Sequence, residues 1–426
     1  MRAAAALVLA GLAASLPARA SDLAPPPPDT GWTLQGLPLV SYNSDEGFGY
    51  GARVLLIDRG TGRELPFRHS LMAQFYQTTK GVAAHRIFFD APGFLGSPYR
   101  IDADVAWSID KFSPWYGLGN QSVYLESRDT CADREALAKN PDVCPGNPAF
   151  LGARYYRYDR NTLPRIKLNL RRDLRGPWKL FGGYRFTLNH ITPFYGPDDL
   201  GQTGDSQLAA DARAGRLVGW DGSRRAFDLR TSEVTAGVVY DSRDNEPAPT
   251  SGMFHEVSAR AGLRALGSQF DYRGVNATAR FYQYLFDRSL VAALRAIADV
   301  QGGDVPFLLL PTTGGLDGPD GVGGLFSARG LLKNRLQGKV KLLVTPELRW
   351  RFYQGARLGW ELVTAIDVGR VWSELGRAEA GGLKAGAAAG IRAAWNRNFL
   401  VRLDTGFGLT EPYGTGSVYL TFDEMF

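Results

Sequence analysis

Polar and apolar residues alternate one by one along most of this chain. From Arg100 to Asp110, Ile101, Ala103, Val105, Trp107 and Ile109 fall on one side, and Arg100, Asp102, Asp104, Ser108 and Asp110 on the other. Residues 164–171 repeat the pattern, with Pro164, Ile166, Leu168 and Leu170 against Arg165, Lys167, Asn169 and Arg171. In 340–352, Val340, Leu342, Val344, Leu348, Trp350 and Phe352 oppose Lys341, Glu347, Arg349 and Arg351. The second face is small or polar in 383–396 (Lys384, Gly386, Gly390, Arg392, Asn396) and in 399–408 (Arg402, Asp404, Gly406, Gly408). A period of two marks strands with two unlike faces, and the helical period is almost absent.

Alternation alone also suits a soluble sandwich. Three features favour a membrane barrel. The segments are long enough for the roughly 9–11 residues of a tilted membrane strand. Aromatics such as Trp107, Trp350, Phe352, Trp360 and Tyr419 lie among the strands or near their ends, where an interfacial girdle sits. The polar faces carry both signs of charge, as a hydrated lumen does.

The pattern predicts an all-β transmembrane antiparallel barrel of about 16 strands, an even number as bacterial barrels prefer. The strands are expected near 32–43, 46–58, 66–79, 82–93, 98–111, 152–173, 177–191 and 231–242, then 252–264, 269–285, 289–301, 339–353, 357–371, 383–396, 398–409 and 415–424. Connections after even strands are short, and the long ones (112–151, 192–230 and 302–338) all follow odd strands. That is the arrangement of short periplasmic turns and long extracellular loops, with both termini in the periplasm. At the end of the chain Val418, Leu420, Phe422 and Phe426 share parity, which suits a closing strand with a lipid-facing stripe.

The first twenty residues refine the compartment. Arg2 precedes an apolar stretch from Ala3 to Leu16 and a small-x-small site at Ala18-Arg19-Ala20, which reads as a cleaved signal peptide over 1–20. Residues 21–31 are then a Pro-rich periplasmic leader and 32–426 the barrel. Export leads us to expect a disulfide between Cys131 and Cys144, both in the first long loop.

Composition mainly excludes. The 426 residues carry a net charge of +6, too weak an imbalance for a dedicated nucleic-acid binder. Four His and two Cys leave little for a His/Cys metal enzyme. No Gly-x-Ser-x-Gly elbow or His-Glu-x-x-His occurs, and Ser108-Ile-Asp-Lys111 is a chance match to Ser-x-x-Lys. His85 and His255 share parity with apolar neighbours and read as girdle or structural residues. Asp317-Gly-Pro-Asp320-Gly reads as a Gly-rich turn. We expect no catalytic residues, no cofactor and no metal.

The third long loop reads GGLFSARGLLKNRLQGK. Its Ala328-Arg329-Gly330-Leu331 resembles the Arg-Gly motif in the sixth extracellular loop of the BamA-type superfamily of outer-membrane barrels, the bacterial surface antigens. Arg and Gly are kept, while the flanking Val and aromatic are replaced. Ala365-Ile366-Asp367-Val368-Gly369 is similar to the family's x-x-Asp-x-Gly strand, and Val401-Arg402-Leu403-Asp404 to its penultimate strand. Pro346-Glu347-Leu348-Arg349, and Tyr240-Asp241-Ser242-Arg243-Asp244 with the later Gly252, also resemble family strands and turns. The family folds this loop into the lumen. Strand parity independently turns Asp367 and Asp404 inward, so Arg329 is expected to pair with Asp367, with Asp404 close by, and Gly330 to permit a tight tip.

The resemblance implies an outer-membrane protein that assists insertion or translocation of proteins, working at a weak seam between first and last strands. Its partners would be outer-membrane lipids, the outer-membrane assembly machinery during biogenesis, to which the C-terminal strand is presented, and a protein client the sequence does not name. The family's POTRA domains find no counterpart in 21–31, so this reads as a member lacking them. A passive channel with a mixed-charge lumen, and a barrel scaffold with enzymatic activity, are the competing readings.

Overall fold

In a closed sheet every strand must satisfy two neighbours and two solvents at once, and the single-residue alternation above does both. The computed structural model describes residues 30–43, 46–61, 67–131, 147–196, 204–246, 248–316, 321–355, 358–377, 381–395, 399–411 and 417–422. These form sixteen strands: β1 Trp32–Asn43, β2 Gly47–Asp58, β3 His69–Thr78, β4 Val82–Ala91, β5 Tyr99–Pro114, β6 Arg157–Asp173, β7 Trp178–Pro193 and β8 Phe227–Asp241. The second half comprises β9 Gly252–Gly262, β10 Tyr272–Tyr284, β11 Leu290–Gly303, β12 Val340–Gln354, β13 Leu358–Trp372, β14 Lys384–Trp395, β15 Phe399–Gly408 and β16 Ser417–Phe422. A short helix, α1 (Gln207–Arg213), sits in the second long loop.

Each strand pairs antiparallel with its chain neighbours, and β16 returns to β1 to close the barrel. Closure is uneven. β1 pairs with β2 along its whole length, from Trp32↔Asp58 to Asn43↔Gly47. Across the seam, among the described residues, it meets β16 only at Tyr42↔Leu420 and Asn43↔Tyr419.

The two faces sort by charge. Along β12, Lys341, Thr345, Glu347 and Arg349 are buried inside while Leu342, Leu348, Trp350 and Phe352 are exposed outside. Trp107, Trp350 and Phe352 are 39%, 50% and 47% exposed, and face outward. Tyr419 does not join them: it is 0% exposed and points into the barrel, because its neighbours Val418 and Leu420 take the outer parity. His85 stacks on Phe75 at 4.7 Å beside Trp107, and His255 meets Phe281 at 4.7 Å, both in aromatic clusters.

The strands flanking the first two long loops depart most from the expected boundaries. β5 runs on to Pro114, β7 to Pro193, and β8 begins at Phe227 rather than 231, whereas β6 begins only at Arg157. Here the inward side chains are apolar rather than charged. Tyr158, Ile191, Phe227 and Leu229 join Trp115, Leu208, Trp220, Phe270, Tyr272 and Phe307 in one buried cluster. Their outward neighbours are polar (Asp159, His190, Asp228, Arg230), so the parity is reversed from the rest of the barrel, which hides these strand ends from sequence. α1 is held in this cluster by Leu208 and by Trp115 Nε1 donating to Asp211 Oδ2 at 2.9 Å, and Ser206 caps its N-terminus. The cluster closes the long-loop end of the lumen.

Candidate functional site

The third long loop, 304–339, turns back into the barrel. Its interior is folded before it reaches the wall: Val322 bridges Leu336, and Ser327 Oγ accepts from Gly323 N at 2.9 Å. Val322, Ala328, Leu331 and Leu336 then pack on Ile297, Leu343 and Val371 of β11, β12 and β13. This apolar contact fixes the loop's height in the lumen and leaves Arg329 facing the strands.

The tip rests on a floor of glycines. Gly330 has φ +87, a conformation that favours glycine, and a Cβ there would lie 2.5 Å from Phe407 backbone atoms in β15. A Cβ on Gly408 would stand 3.0 Å from Gly330 O. Gly386 and Gly406 face the Arg329–Gly330 backbone in the same way. The small second face of β14 and β15 is therefore what admits the loop.

Arg329 is buried and engages three carboxylates. Its Nε donates to Asp367 Oδ2 at 2.9 Å and Nη2 to Asp367 Oδ1 at 3.2 Å. Its backbone N–H also donates to Asp367 Oδ2, at 2.8 Å. Nη1 reaches Asp404 Oδ2 at 3.1 Å and Nη2 reaches Glu347 Oε2 at 3.1 Å. The structure thus brings together Arg329, Gly330, Asp367 and Asp404, from the loop, β13 and β15. Charge-assisted bonds on every side of the fork satisfy a buried guanidinium that would otherwise be costly to bury.

Further arginines surround the acids. Arg349 Nε donates to Glu347 Oε1 at 2.7 Å, Arg392 donates to Asp404, and Arg402 Nε lies 3.4 Å from Asp404 Oδ2. Arg295 donates to the Phe326 and Ser327 carbonyls, and Arg402 Nη2 to the Leu325 carbonyl. The cationic excess is therefore turned on the loop backbone, stitching 325–327 to the wall. Glu347, Arg349, Arg392, Arg402 and Arg295 were not expected at this site. The signal for them was their inward parity, but parity does not say which inward groups meet.

A second anchor lies farther along the wall. Asp299 of β11 receives Arg260 in a bidentate pair, at 2.8 and 2.9 Å, together with Lys341 Nζ at 3.3 Å and the Gly314 N–H at 2.8 Å. Glu256 accepts the Leu316 N–H at 3.2 Å, and Lys167 donates to the Leu316 carbonyl at 2.7 Å.

The other expected residues are more scattered. Val418 is exposed on the outer face and Leu420 half-buried; Phe422 ends β16 opposite Val401, and Phe426 lies outside the described residues. Cys131 is buried against Phe150, and Cys144 lies outside the described residues, as do 317–320. Among the described residues no group of His, Cys, Asp and Glu is placed to hold a metal ion. In the turn after β8, Asp244 accepts from Thr250 N and Ser251 N at 2.9 and 3.1 Å.

No curated protein matches the sequence. Among solved structures the fold is similar to BamA from Haemophilus ducreyi lacking POTRA domains 1–3, at 13% identity and a TM-score of 0.56, covering 93% of this chain and 70% of that one. It is also similar to CdiB from Escherichia coli, at 12% identity and a TM-score of 0.53, covering 93% of this chain and 63% of that one. At these identities the likeness is one of fold. The model of the Omp85 superfamily domain matches residues 153–422, which takes in the lumenal loop and the strands β12, β13 and β15 that carry the acids around Arg329, and the chain belongs to the Omp85 superfamily of bacterial outer-membrane barrels.

Proposed function

We propose that this barrel assists the insertion or translocation of protein segments at the outer membrane, with the β1–β16 seam as its working edge. One observation carries the reading. β1 is fully paired with β2, yet Val40 and Ser41, which the seam register carries toward Phe422 and Thr421, have no partner on β16 among the described residues. An unpaired strand edge is a template for another chain, and β-strand addition is how extended segments are captured. Elsewhere around the barrel each neighbouring pair is registered over most of its length.

In this reading Arg329, Asp367 and Asp404, with Glu347, lock the loop inside the barrel and keep the wall on the β16 side of the seam, from β12 to β15, rigid while the seam yields. A link between Cys131 and Cys144 steadies the first long loop; no free cysteine occurs among the described residues. The passive-channel reading is weaker, because the loop and its ion pairs are buried inside the barrel and an apolar cluster packs over its long-loop end.

The test is a staple across the seam. Tyr42 and Leu420 are partners in register, so Tyr42→Cys and Leu420→Cys, in a Cys131→Ser and Cys144→Ser background, are placed to cross-link. In vesicles containing the purified protein, assembly of an unfolded client barrel is expected to accelerate with the reduced form and to return to the protein-free rate on oxidation. Equal acceleration by both forms overturns the seam reading.

A further inference from the structure

The lumenal loop carries two cations only two residues apart that reach opposite sides of the seam. Lys333 Nζ donates to Glu46 Oε1 at 2.5 Å, and to Asp110 Oδ2 of β5 at 3.2 Å. Glu46 sits in the turn between β1 and β2, directly before Gly47. Arg335 pairs with Glu411, Nε to Oε2 at 2.8 Å and Nη2 to Oε1 at 3.0 Å. Glu411 lies in the connection from β15 to β16, and also receives Lys384 Nζ of β14 at 3.1 Å. The β1 turn and the β16 connection are thus held by one loop. They are held at the end of the seam where Tyr42↔Leu420 and Asn43↔Tyr419 make its registered pairing.

We infer that the loop is a clasp on the seam: Lys333–Glu46 holds the β1 side, Arg335–Glu411 holds the β16 side, and the seam opens at this end only when one of the two lets go. The Arg329 network fixes the clasp's base on β12, β13 and β15, so a pull on either edge is transmitted to a buried anchor rather than to a mobile loop. The two arms differ in strength. The Lys333 and Glu46 side chains are 30% and 20% exposed, whereas those of Arg335 and Glu411 are 3% and 7% exposed. A partly exposed pair contributes little and is weakened by salt, while losing one partner of a buried pair leaves an uncompensated charge. The β1 arm is therefore the one that releases first, and it releases the strand that forms one side of the seam. Arg335 also donates to Ser122 Oγ and Ser122 O, at 2.9 and 2.7 Å, so movement of the first long loop reaches the β16 arm directly. The clasp names the regulation of the seam proposed above, and its relevance to clients rests on that reading; the clasp itself concerns this chain alone.

Hydrogen–deuterium exchange of the full-length protein in lipid nanodiscs tests it. Glu46→Gln removes the β1 arm while Lys333 keeps Asp110, and Glu411→Gln removes the β16 arm while Arg335 keeps Ser122. Glu46→Gln is expected to speed exchange in 41–43 and 417–420 roughly fivefold, the size of effect that loss of a partly exposed pair produces. Glu411→Gln is expected to do more, and Glu411→Asp less than Glu411→Gln. High salt is expected to reproduce the first effect in the wild type. Amides of β10 and β11 serve as the reference and are expected to stay unchanged. Seam exchange equal to wild type in both Gln variants overturns the clasp, as does a rise spread evenly into β10 and β11, which would mark general loosening. Client assembly is then measured on the same variants. A looser seam with unchanged client assembly leaves the clasp standing and sinks the insertion reading.

Discussion

Arg329 gives Asp367 three hydrogen bonds, two from its guanidinium and one from its own backbone N–H. One carboxylate therefore fixes both the side chain and the main chain of the loop tip. Replacing Arg329 with Ala leaves Glu347, Asp367 and Asp404 without their shared cation, and breaking a buried pair in this way costs about 3–5 kcal/mol. Arg329→Lys keeps the charge but offers a point donor where a planar fork spans three acids, so it is expected to recover only part of the loss. Limited proteolysis in 321–338 is the measurement. Cleavage rates equal to wild type in both variants would show that the network does not hold the loop.

Gly330→Ala is expected to act as strongly without touching a charge. The added Cβ meets Phe407 backbone 2.5 Å away, and the φ of +87 strains any side chain. A penalty of about 1–3 kcal/mol follows from strain of this kind. Gly376, whose Cβ would meet nothing within 4 Å, is the matched control. The temperature at which each barrel loses its folded migration on semi-native gels separates the two: Gly330→Ala falls, Gly376→Ala does not.

Asp129, in the first long loop, accepts from Tyr124 Oη at 3.0 Å, and burial pushes its pKa up to about 6. Because the folded loop holds this proton more tightly than the unfolded chain, the associated stability is fully present below about pH 4. It is lost as pH rises through about 6. Amides of 123–131 are expected to be better protected at pH 5 than at pH 8, after correction for intrinsic exchange. Asp129→Asn is expected to flatten that difference, and an undiminished difference in the variant would place the titrating group elsewhere.

The apolar cap predicts an electrically quiet barrel. Trp115 and Phe307 meet edge to face at 5.7 Å, both fully buried, above a lumen that the third long loop enters. In planar bilayers the intact protein is expected to show no steady large conductance, whereas deletion of 306–338 opens one. Steady large pores from the intact protein would restore the channel reading.

How much of this was legible in the chain depends on the kind of question asked. Lys341, Glu347, Arg349, Asp367 and Asp404 could be assigned to the lumen from parity alone, since one residue of offset moves a side chain to the opposite solvent. The same rule gave sixteen strands and put the long connections at one end. Parity failed where the inward face met an apolar cap and the outward face carried polar residues such as Asp228 and Arg230. Tyr158, Phe227 and Leu229 point inward under the cap, and β8 consequently starts earlier than expected. The Arg329–Asp367 pair was visible through its motif, but Arg392 beside Asp404 was not. Arg392 lies opposite Arg402 in register, and Asp404 opposite Gly390, so their meeting is diagonal and depends on the stagger of β14 on β15.

The sequence by itself determined which solvent each side chain faces, because that is a local property of a strand with period two. Only the tertiary structure decided which inward groups become partners. Closing a barrel fixes a tilt and a stagger shared by all its strands, and no single segment contains that information. Lys333 and Glu46 are 287 residues apart in the chain and 2.5 Å apart in space. The seam has the same origin: β1 and β16 each carry an ordinary strand pattern, and where they meet is settled only when fourteen other strands have set the ring between them.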